Sequence, residues 1–278
     1  MVSEDVDAAT EASAGAFGVE LSDPAVDPRW RVRLRHCLAT DPGGAFVAEQ
    51  AGRVVGAAQA IRRDGVWILS LLAVDPQTQS RGVGRALFAA ALDYRRPGDA
   101  GLIISSSDAR AIALYGLAGF ELRPSFEARG TVDRRAVPPT LPELGDGAGD
   151  LEQLGEISRR LRGATHVREL AIVLARGARV LHLRERGYAV VLPGESVFLL
   201  AAYDEEAATA LLWQALAAVG DGQQAGSEHA ILRWITAEQQ WAVRVALRAG
   251  LRLHSYGAVC VSGLDAPLRP YLPSPPFG

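Results

Sequence analysis

The chain has 278 residues, enough for two domains of ordinary size, and 49% of them are hydrophobic and 22% charged, as in a globular protein. Its net charge of -3 and the lack of a dense basic run argue against nucleic acid as the main partner. No apolar stretch reaches the ~18–20 residues that a membrane-spanning helix needs. The acidic N-terminus has the wrong charge for a signal peptide. We therefore expect a cytoplasmic protein with neither nucleic acid nor a membrane as its partner.

Composition also limits the chemistry. Lysine is absent, so all 29 basic side chains are arginine and no lysine Schiff base can form. Cys37 and Cys260 each lie in an apolar segment and are predicted to be buried free thiols, with a disulfide or an acyl-carrying cysteine as the alternative. Two isolated cysteines do not make a zinc site of the usual ligand number, so we expect no metal.

Apolar periodicity and turn signals predict the elements of the first half of the chain. The predicted helices span residues 5–17, 28–39 and 108–118, with a fourth that begins within 80–94. The predicted strands span residues 45–49, 54–62, 66–74 and 102–106, followed by a hairpin of 120–122 and 126–132. Ser3 is the expected N-cap of the first helix, and Gly52 and the Asp64-Gly65 pair are expected in turns. This order predicts an α/β fold in which helices flank a mixed, mostly antiparallel sheet.

A run rich in proline and glycine divides the chain. Residues 137–150 contain three prolines and three glycines, which makes them the best linker candidate. We therefore predict two domains, residues 1–137 and residues 138–278. The proline-rich tail, residues 270–278, is expected to lie extended over the surface.

Two glycines follow the predicted strand at 66–74 and precede a helix. Gly82 and Gly84 remove side chains where the backbone turns, so a phosphate can approach the exposed N–H groups. The helix start favours an anion, and Arg81 and Arg85 can add ion pairs. The pattern is neither a P-loop, because no Gly-Lys-Ser/Thr follows, nor the dinucleotide fingerprint, whose third glycine is absent. On this segment alone, a glycine-softened helix start without a ligand is the alternative.

A second motif follows the next predicted strand. Residues 108–120 read Asp-Ala-Arg-Ala-Ile-Ala-Leu-Tyr-Gly-Leu-Ala-Gly-Phe. Together with residues 79–84, this motif resembles the two conserved blocks of the GCN5-related N-acetyltransferase (GNAT) superfamily. These blocks look like Gln/Arg-x-x-Gly-x-Gly/Ala and Asn-x-x-Ala-x-x-Leu-Tyr-x-x-x-Gly-Phe. Both blocks, their order and their spacing agree over about residues 4–132. The resemblance implies the acyl-CoA N-acyltransferase fold, with acetyl-CoA as co-substrate.

The resemblance implies a role for each matching residue. Backbone groups of Leu72, Ala73 and Val74 would pair with the pantetheine arm, and an N–H near Val74 would stabilise the oxyanion. The other implied cofactor-binding groups are the Gln79 side chain, the N–H groups of Arg81, Gly82, Val83, Gly84, Arg85 and Ala86, and Asp108. Tyr115 matches the general acid that protonates the departing CoA thiolate. A core aromatic is the alternative reading of Tyr115.

The sequence departs from the family pattern at several places. Asp108 stands where the family often has asparagine, and a carboxylate is less favourable beside CoA than an amide. Some relatives place a glutamate base at the position of Ile68, which has no proton-accepting group. Glu49, His36 or Glu127 could act through a water, but a structural or surface role is the better expectation for each. We therefore predict no general base, since an amine that arrives partly neutral needs only a weak one.

The second half resembles a tandem copy of the same fold. Residues 235–251 align with residues 104–120 without a gap, at an offset of 131 (235 − 104), with four identities. Tyr115 then corresponds to Ala246, and residues 203–208 contain carboxylates instead of glycines. A hairpin centred on Gly187 is expected to match the one at Gly52. This degenerate copy would lack the chemistry, leaving one active CoA site per chain, and would shape the acceptor pocket or the surface of a homodimer.

Two functional hypotheses follow. The leading one is an N-acetyltransferase that moves an acetyl or short acyl group to a primary amine of a small molecule or peptide by direct attack. The alternative is a non-catalytic acyl-CoA-binding sensor, which the missing carboxylate at Ile68 keeps open. The identity of the acceptor is not encoded in any motif of the sequence.

Overall fold

The computed structural model describes residues 1–21, 27–146, 151–175, 177–192, 197–219 and 229–278. The helices are α1 (Val6–Phe17), α2 (Asp27–Thr40), α3 (Val83–Asp93), α4 (Ala109–Leu117), α5 (Leu151–Arg162), α6 (Val167–Leu174), α7 (Glu205–Ala217) and α8 (Gln240–Arg248). The strands are β1 (Ala45–Gln50), β2 (Arg53–Arg63), β3 (Val66–Val74), β4 (Ala100–Ser105), β5 (Glu121–Thr131), β6 (Gly145–Asp146), β7 (Arg179–Leu183), β8 (Gly187–Val191), β9 (Leu199–Ala202), β10 (His229–Thr236), β11 (Arg252–Ser262) and β12 (Tyr271–Leu272). Helices flank a largely antiparallel sheet, so the predicted fold class is confirmed.

The chain divides into two compact units. The first comprises Met1–Ile103 with Pro276–Gly278, and the second comprises Ile104–Pro275. This division differs from the predicted one after residue 137, because the elements that follow Ile103 pair with strands of the second half. Part of the predicted linker, residues 147–150, lies outside the described residues. In the described part of the chain, no helix has the length and apolar character needed to cross a membrane.

The first unit is built on an antiparallel meander. β1, β2 and β3 pair in sequence, and β3 then pairs in parallel with β4 from Val66 opposite Ala100 to Leu69 opposite Ile103. The predicted turns are confirmed. Ala51-Gly52 and Asp64-Gly65 all have positive φ, as two-residue hairpins require. The prediction that Ser3 is the N-cap of α1 is wrong. Ser3 begins a 3-10 helix, and Asp5 takes the N-cap position.

Helices cover both faces of this meander. α1 and α2 bury one face in an apolar cluster of Val6, Ala9, Leu34, Ala57, Leu71 and Ala73. α3 covers the opposite face. A Cβ added to Gly56 of β2 would lie 2.9 Å from Leu87 of α3, and Gly56 faces away from its neighbour Ala57, which packs against α1 and α2. Cys37 is a buried free thiol on α2, as predicted. β3 is therefore covered on both faces, which explains its uniformly apolar sequence.

In the second unit β5 lies between β10 and β11, and both pairings are antiparallel. The predicted hairpin of residues 120–122 and 126–132 is therefore wrong, because β5 runs unbroken from Glu121 to Thr131. Pro124 does not turn the chain. It lies opposite Ala258, next to a β-bulge, where a strand tolerates proline.

A second sheet of the second unit has the order β12-β9-β8-β7-β6. The predicted hairpin of β7 and β8 is present, but Glu185, with φ of 60°, marks its turn, and Gly187 is the first residue of β8. The expectation of an extended surface tail is wrong. Tyr271 and Leu272 are 1% and 3% exposed, because β12 pairs with β9. Phe277 is 2% exposed and belongs to the first unit.

The order of elements recurs in the two halves of the sequence. α1 to β5 and α5 to β11 both run helix, helix, three strands, helix, strand, helix, strand. The bounds of α8 are those of α4 plus 131 (240 − 109 and 248 − 117), and the bounds of β11 are those of β5 plus 131 (252 − 121 and 262 − 131). Gly119 and Gly250 end α4 and α8 with φ of 88° and 83°. This recurrence agrees with the offset found in the sequence.

Candidate active site

β3 has an open edge in its second half. Its parallel pairing with β4 ends at Leu69 opposite Ile103, although both strands continue. At the same level the antiparallel ladder with β2 skips Ser70, which is a β-bulge. Within residues 66–105, all of which are described, no strand pairs with the β4 side of residues 70–74. Bulges and interrupted pairing occur preferentially beside active sites.

The polar backbone groups on this edge belong to Leu72 and Val74. The N–H of Asp75 donates to the carbonyl of Val55 on β2, at 2.9 Å. Successive residues of a strand direct their N–H and C=O groups to opposite sides, so Ala73 also faces β2. Leu72 and Val74 therefore face the open side. Of the three residues that the resemblance implies for pantetheine pairing, these two offer backbone groups for an added strand.

The glycine loop leads from this edge into α3. Gly82 is the N-cap of α3 with φ of 85°, and a Cβ added to it would meet no atom within 4 Å. Ser80, two residues earlier, also has a positive φ of 65°. The first N–H groups of a helix have no partner within the helix, and the helix dipole gives them a positive potential. Gly82 is exposed, so an anion can approach these groups from solvent.

Side chains around the loop add to this arrangement. The Nε2 atom of Gln79 donates to the carbonyl of Val74, at 3.0 Å, which fixes the loop against the end of β3. Arg81 and Arg85 are exposed, and neither is hydrogen-bonded or ion-paired to a described residue. A Cβ on Gly84 would lie 3.5 Å from Val74 Cγ2, which is an ordinary van der Waals distance. The contact with Val74 therefore does not by itself require glycine at this position. The loop thus offers backbone donors and two unpaired guanidinium groups to an anion.

Asp108 caps α4, as predicted. Its carboxylate accepts a hydrogen bond from the N–H of Arg110 at 2.9 Å. The side chain of Arg110 also donates to it, through Nε at 3.0 Å and Nη2 at 2.6 Å. These hydrogen bonds hold the pKa of Asp108 below its usual value. The carboxylate at the family's asparagine position is therefore ionised but paired with an arginine.

Tyr115 is buried, with 5% of its surface exposed, and lies in the last turn of α4. Burial raises the pKa of its phenol above the usual value, because a phenolate would lose its hydration. Cys260 and Asp108 contribute smaller effects of the same sign. Burial likewise raises the pKa of the Cys260 thiol to about 12. Tyr115 is thus a protonated donor at neutral pH, and Cys260 is the buried free thiol that the sequence predicts.

The residues considered as a general base lie in different surroundings. Ile68 is fully buried on β3. Glu127 is 2% exposed and forms ion pairs with two arginines at 2.5 and 2.6 Å. Glu49 is exposed at the end of β1, and His36 is half-buried on α2. Among the residues that the structure describes, no group of three or more His, Cys, Asp or Glu could hold a metal ion.

The structure thus places the predicted site residues in two groups. The open edge of β3 and the loop of residues 79–86 are continuous in the first unit, while Asp108 and Tyr115 lie in the second. The sequence reasoning missed the bulge at Ser70, because an apolar run gives no sign of an inserted residue. It also missed the pairing of Asp108 with Arg110, although an opposite charge two residues into a helix was an available signal.

Comparison with protein families gives one match within this region. Residues 41–122 match the family model of the Acetyltransferase (GNAT) domain. They contain the open edge of β3, the glycine loop, and α4 with Asp108 and Tyr115. No curated protein matches the chain in sequence.

Solved structures share the fold along most of the chain. A Pyrococcus horikoshii protein assigned to the acetyltransferases is 18% identical, with a TM-score of 0.75 over 96% of this chain and 89% of that one. A tandem GNAT protein from the clavulanic acid biosynthesis pathway is 18% identical, with a TM-score of 0.58 over 93% of this chain and 94% of that one. A GCN5-related N-acetyltransferase from Sphaerobacter thermophilus is 17% identical, with a TM-score of 0.57 over 94% and 93% of the two chains.

The family match and the shared fold together indicate the class to which this protein is similar. The solved structures show that it has the fold of the acyl-CoA N-acyltransferases, as the sequence predicts. More particularly, the chain carries a GNAT domain at residues 41–122.

Proposed function

We propose that the chain transfers an acetyl or short acyl group from acyl-CoA to a primary amine of a small molecule or peptide. The observation that carries this proposal is the continuous path in the first unit from the open edge of β3 to the N-terminus of α3. A pantetheine arm can add to Leu72 and Val74 as an extra strand, and the diphosphate can then reach the loop of residues 79–86. The GNAT family match over the same residues supports the assignment.

Tyr115 is proposed as the general acid. The amine attacks the thioester carbonyl carbon directly, the carbon–sulfur bond breaks, and Tyr115 gives its proton to the departing thiolate. Its burial and its raised pKa support this role, because the phenol keeps its proton until a strong base such as a thiolate forms nearby. A backbone N–H on the open edge near Val74 stabilises the negative oxygen. The attacking nitrogen loses one proton to solvent as the amide forms, and Tyr115 regains a proton from solvent, so no residue is assigned as the base.

We also propose that the second half is a tandem copy that has lost its cofactor site. The recurring element order and the common offset of 131 between α4 and α8 and between β5 and β11 support this. Ala246 takes the place of Tyr115 in α8 and has no proton to donate. The second half then serves the acceptor site or a dimer surface.

A non-catalytic acyl-CoA sensor is the second candidate function. The observation that favours it is the lack of a carboxylate at Ile68, together with the two ion pairs that occupy Glu127. Both functions require the same cofactor groove, so binding alone does not separate them.

Two measurements on the full chain test these functions. Titration calorimetry with acetyl-CoA should give saturable binding with one site per chain. Release of free thiol should then be followed with a panel of small amines, amino acids, aminoglycosides and peptides, and we expect it to depend on the amine. Binding without thiol release across the panel would favour the sensor. A chain that does not bind acetyl-CoA would contradict both candidates.

A further inference from the structure

The carbonyl of Val74 is the last backbone acceptor on the open edge of β3. The N–H of Asp75 belongs to the same peptide unit, and it donates to the carbonyl of Val55 on β2 at 2.9 Å. A trans peptide directs its C=O and its N–H to opposite sides, so the Val74 carbonyl points away from β2. A ligand that adds to this edge as an extra strand needs this carbonyl as an acceptor for one of its N–H groups.

A side chain of the loop already occupies this acceptor. The Nε2 atom of Gln79 donates to the Val74 carbonyl at 3.0 Å. The donor is an amide N–H, which is the same kind of group that the amides of a pantetheine arm present. Gln79 therefore takes the place that an N–H of an added strand would take at the end of β3.

The turn between Val74 and Gln79 is held by other contacts. The carboxylate of Asp75 accepts from the N–H of Gln77 at 2.9 Å and pairs with Arg53 at 3.0 Å. The backbone carbonyl of Asp75 accepts from the N–H of Thr78 at 2.9 Å and from its hydroxyl at 3.1 Å. Thr78 is 5% exposed, so this turn is packed as well as hydrogen-bonded. The Gln79 side chain can therefore leave the strand edge while the turn stays in place.

The bond between Gln79 and Val74 is of a kind that a ligand can replace. Both residues are half-buried, and the neighbouring Ser80 is exposed, so water reaches this part of the loop. A neutral hydrogen bond in such surroundings contributes little net free energy, because water can replace either partner. It still lowers the affinity for a ligand that needs the same carbonyl, because only the fraction of chains with a free carbonyl is ready to bind.

We propose that Gln79 competes with the pantetheine arm for the carbonyl of Val74. In the free chain the Gln79 side chain covers this acceptor, and on binding an amide N–H of the arm takes its place. This inference rests on the proposed N-acyltransferase function and assigns Gln79 a role at the pantetheine arm, not at the diphosphate. The N–H groups of residues 81–86 remain the donors for the diphosphate.

Two ligands separate the arm from the diphosphate. Acetyl-CoA contains both, whereas 3′-phospho-ADP keeps the diphosphate and lacks the arm. In the full chain, Gln79→Ala should tighten acetyl-CoA binding about two- to tenfold, the factor that corresponds to one neutral hydrogen bond. The same variant should bind 3′-phospho-ADP as the wild type does, since this ligand makes no use of the Val74 carbonyl. Titration calorimetry would measure both affinities.

Two further variants serve as controls. Gln79→Met keeps the length of the side chain but removes the donor, so it should tighten acetyl-CoA binding as Gln79→Ala does. It also provides the same readout if Gln79→Ala does not fold. Gln77→Ala is the matched control, because Gln77 is exposed in the same loop and alanine keeps the backbone N–H that donates to Asp75. It should leave the affinity for both ligands unchanged.

The outcomes separate this inference from the proposed function. Unchanged or weaker acetyl-CoA binding by the Gln79 variants would overturn the inference and leave the acyltransferase in place. Weaker binding of both ligands would instead make Gln79 a group that holds the diphosphate. An equal gain for both ligands would place the effect in the loop, which also overturns the inference. A wild-type chain that does not bind acetyl-CoA would contradict the proposed function itself.

Discussion

β3 and β9 hold the same place in the recurring order of elements, yet their outer edges differ. From Ser70 to Val74 the side of β3 that faces away from β2 has no paired strand among residues 66–105. On β9 the corresponding edge is covered by β12, which places Tyr271 opposite Ala201. A ligand that adds to a sheet needs free N–H and C=O groups on a strand. β3 offers them, whereas the chain itself occupies those of β9.

The helices that follow these strands also differ in whether their first N–H groups are open to a ligand. α3 begins at Gly82, whose missing side chain leaves the first N–H groups open. α7 begins at Asp204, whose Oδ1 accepts from the N–H of Ala207 at 2.8 Å, and Glu205 and Glu206 follow it. The Asp204 carboxylate thus occupies a helix-start N–H that a diphosphate would need.

A shared order of elements is therefore no guide to a shared ligand. The packing of the second half is preserved, but its strand edge and helix start are filled by residues of the same chain. We therefore expect one acetyl-CoA per chain, bound in the first half. Variants that act on one region and spare the other test this view.

The largest effect is expected from Gly82→Glu. A side chain at φ of 85° strains the backbone, and a carboxylate occupies the anion site, so acetyl-CoA binding should be lost completely. Titration calorimetry would measure it. Gly98→Glu is the matched control, since Gly98 has φ of 86° and equally open surroundings but lies outside the loop. Residual binding by Gly82→Glu at half the original stoichiometry would show that the second region also binds the cofactor.

Tyr115→Phe should lower kcat by about 10²–10⁴-fold, the usual contribution of a general acid, and leave acetyl-CoA affinity unchanged. Tyr188→Phe is the control in the second half. It removes a hydroxyl that is equally buried and bonded to Ser158, at 2.5 Å, so it should reduce stability but not turnover. Unchanged kcat in Tyr115→Phe would remove Tyr115 from the mechanism.

The pH dependence of kcat examines the same residue without a mutation. Burial raises the pKa of Tyr115, so its acid form persists to higher pH than that of a free tyrosine. The rate should therefore show no fall through pH ~10, where an exposed tyrosine titrates. The raised pKa of Tyr115 in the folded chain lowers the free energy of unfolding once the pH exceeds the pKa of tyrosine in the unfolded chain. Melting temperatures should therefore be measured at each pH alongside the rates. A fall in kcat below pH 10 in a chain that stays folded would contradict the assignment.

Asp204→Ala gives the reciprocal test in the second region. Loss of the N-cap of α7 should lower the free energy of unfolding by about 1 kcal/mol. Acetyl-CoA affinity and stoichiometry should not change, since the edge of β9 stays covered by β12. Chemical denaturation and calorimetry would measure the two quantities. A second binding event in this variant would mean that Asp204 alone blocks a functional groove.

Local signals in the sequence predicted the elements but not the pairing of distant strands. The turns at Gly52 and Gly65, the cap at Asp108 and the end of α4 at Gly119 follow from short motifs, and all are present. The hairpin predicted for residues 120–122 and 126–132 is wrong, because β5 continues through Pro124. The partners of β5 lie 98 to 140 residues away (229 − 131 and 261 − 121), beyond the reach of a local pattern. The expectation of a surface tail is wrong for the same reason, since β12 pairs with β9, which is distant in sequence.

The smallest effect is expected from Asp108→Asn, which restores the family's residue. Asparagine still caps α4, so stability should hardly change. The substitution removes one negative charge and releases the side chain of Arg110, which now donates to Asp108 through Nε and Nη2. Acetyl-CoA affinity should therefore rise by about two- to fivefold, the size of an exposed charge interaction, and the gain should shrink in high salt. Calorimetry at two ionic strengths would measure it. Weaker binding would mean that the Asp108–Arg110 pair itself contributes to the cofactor site.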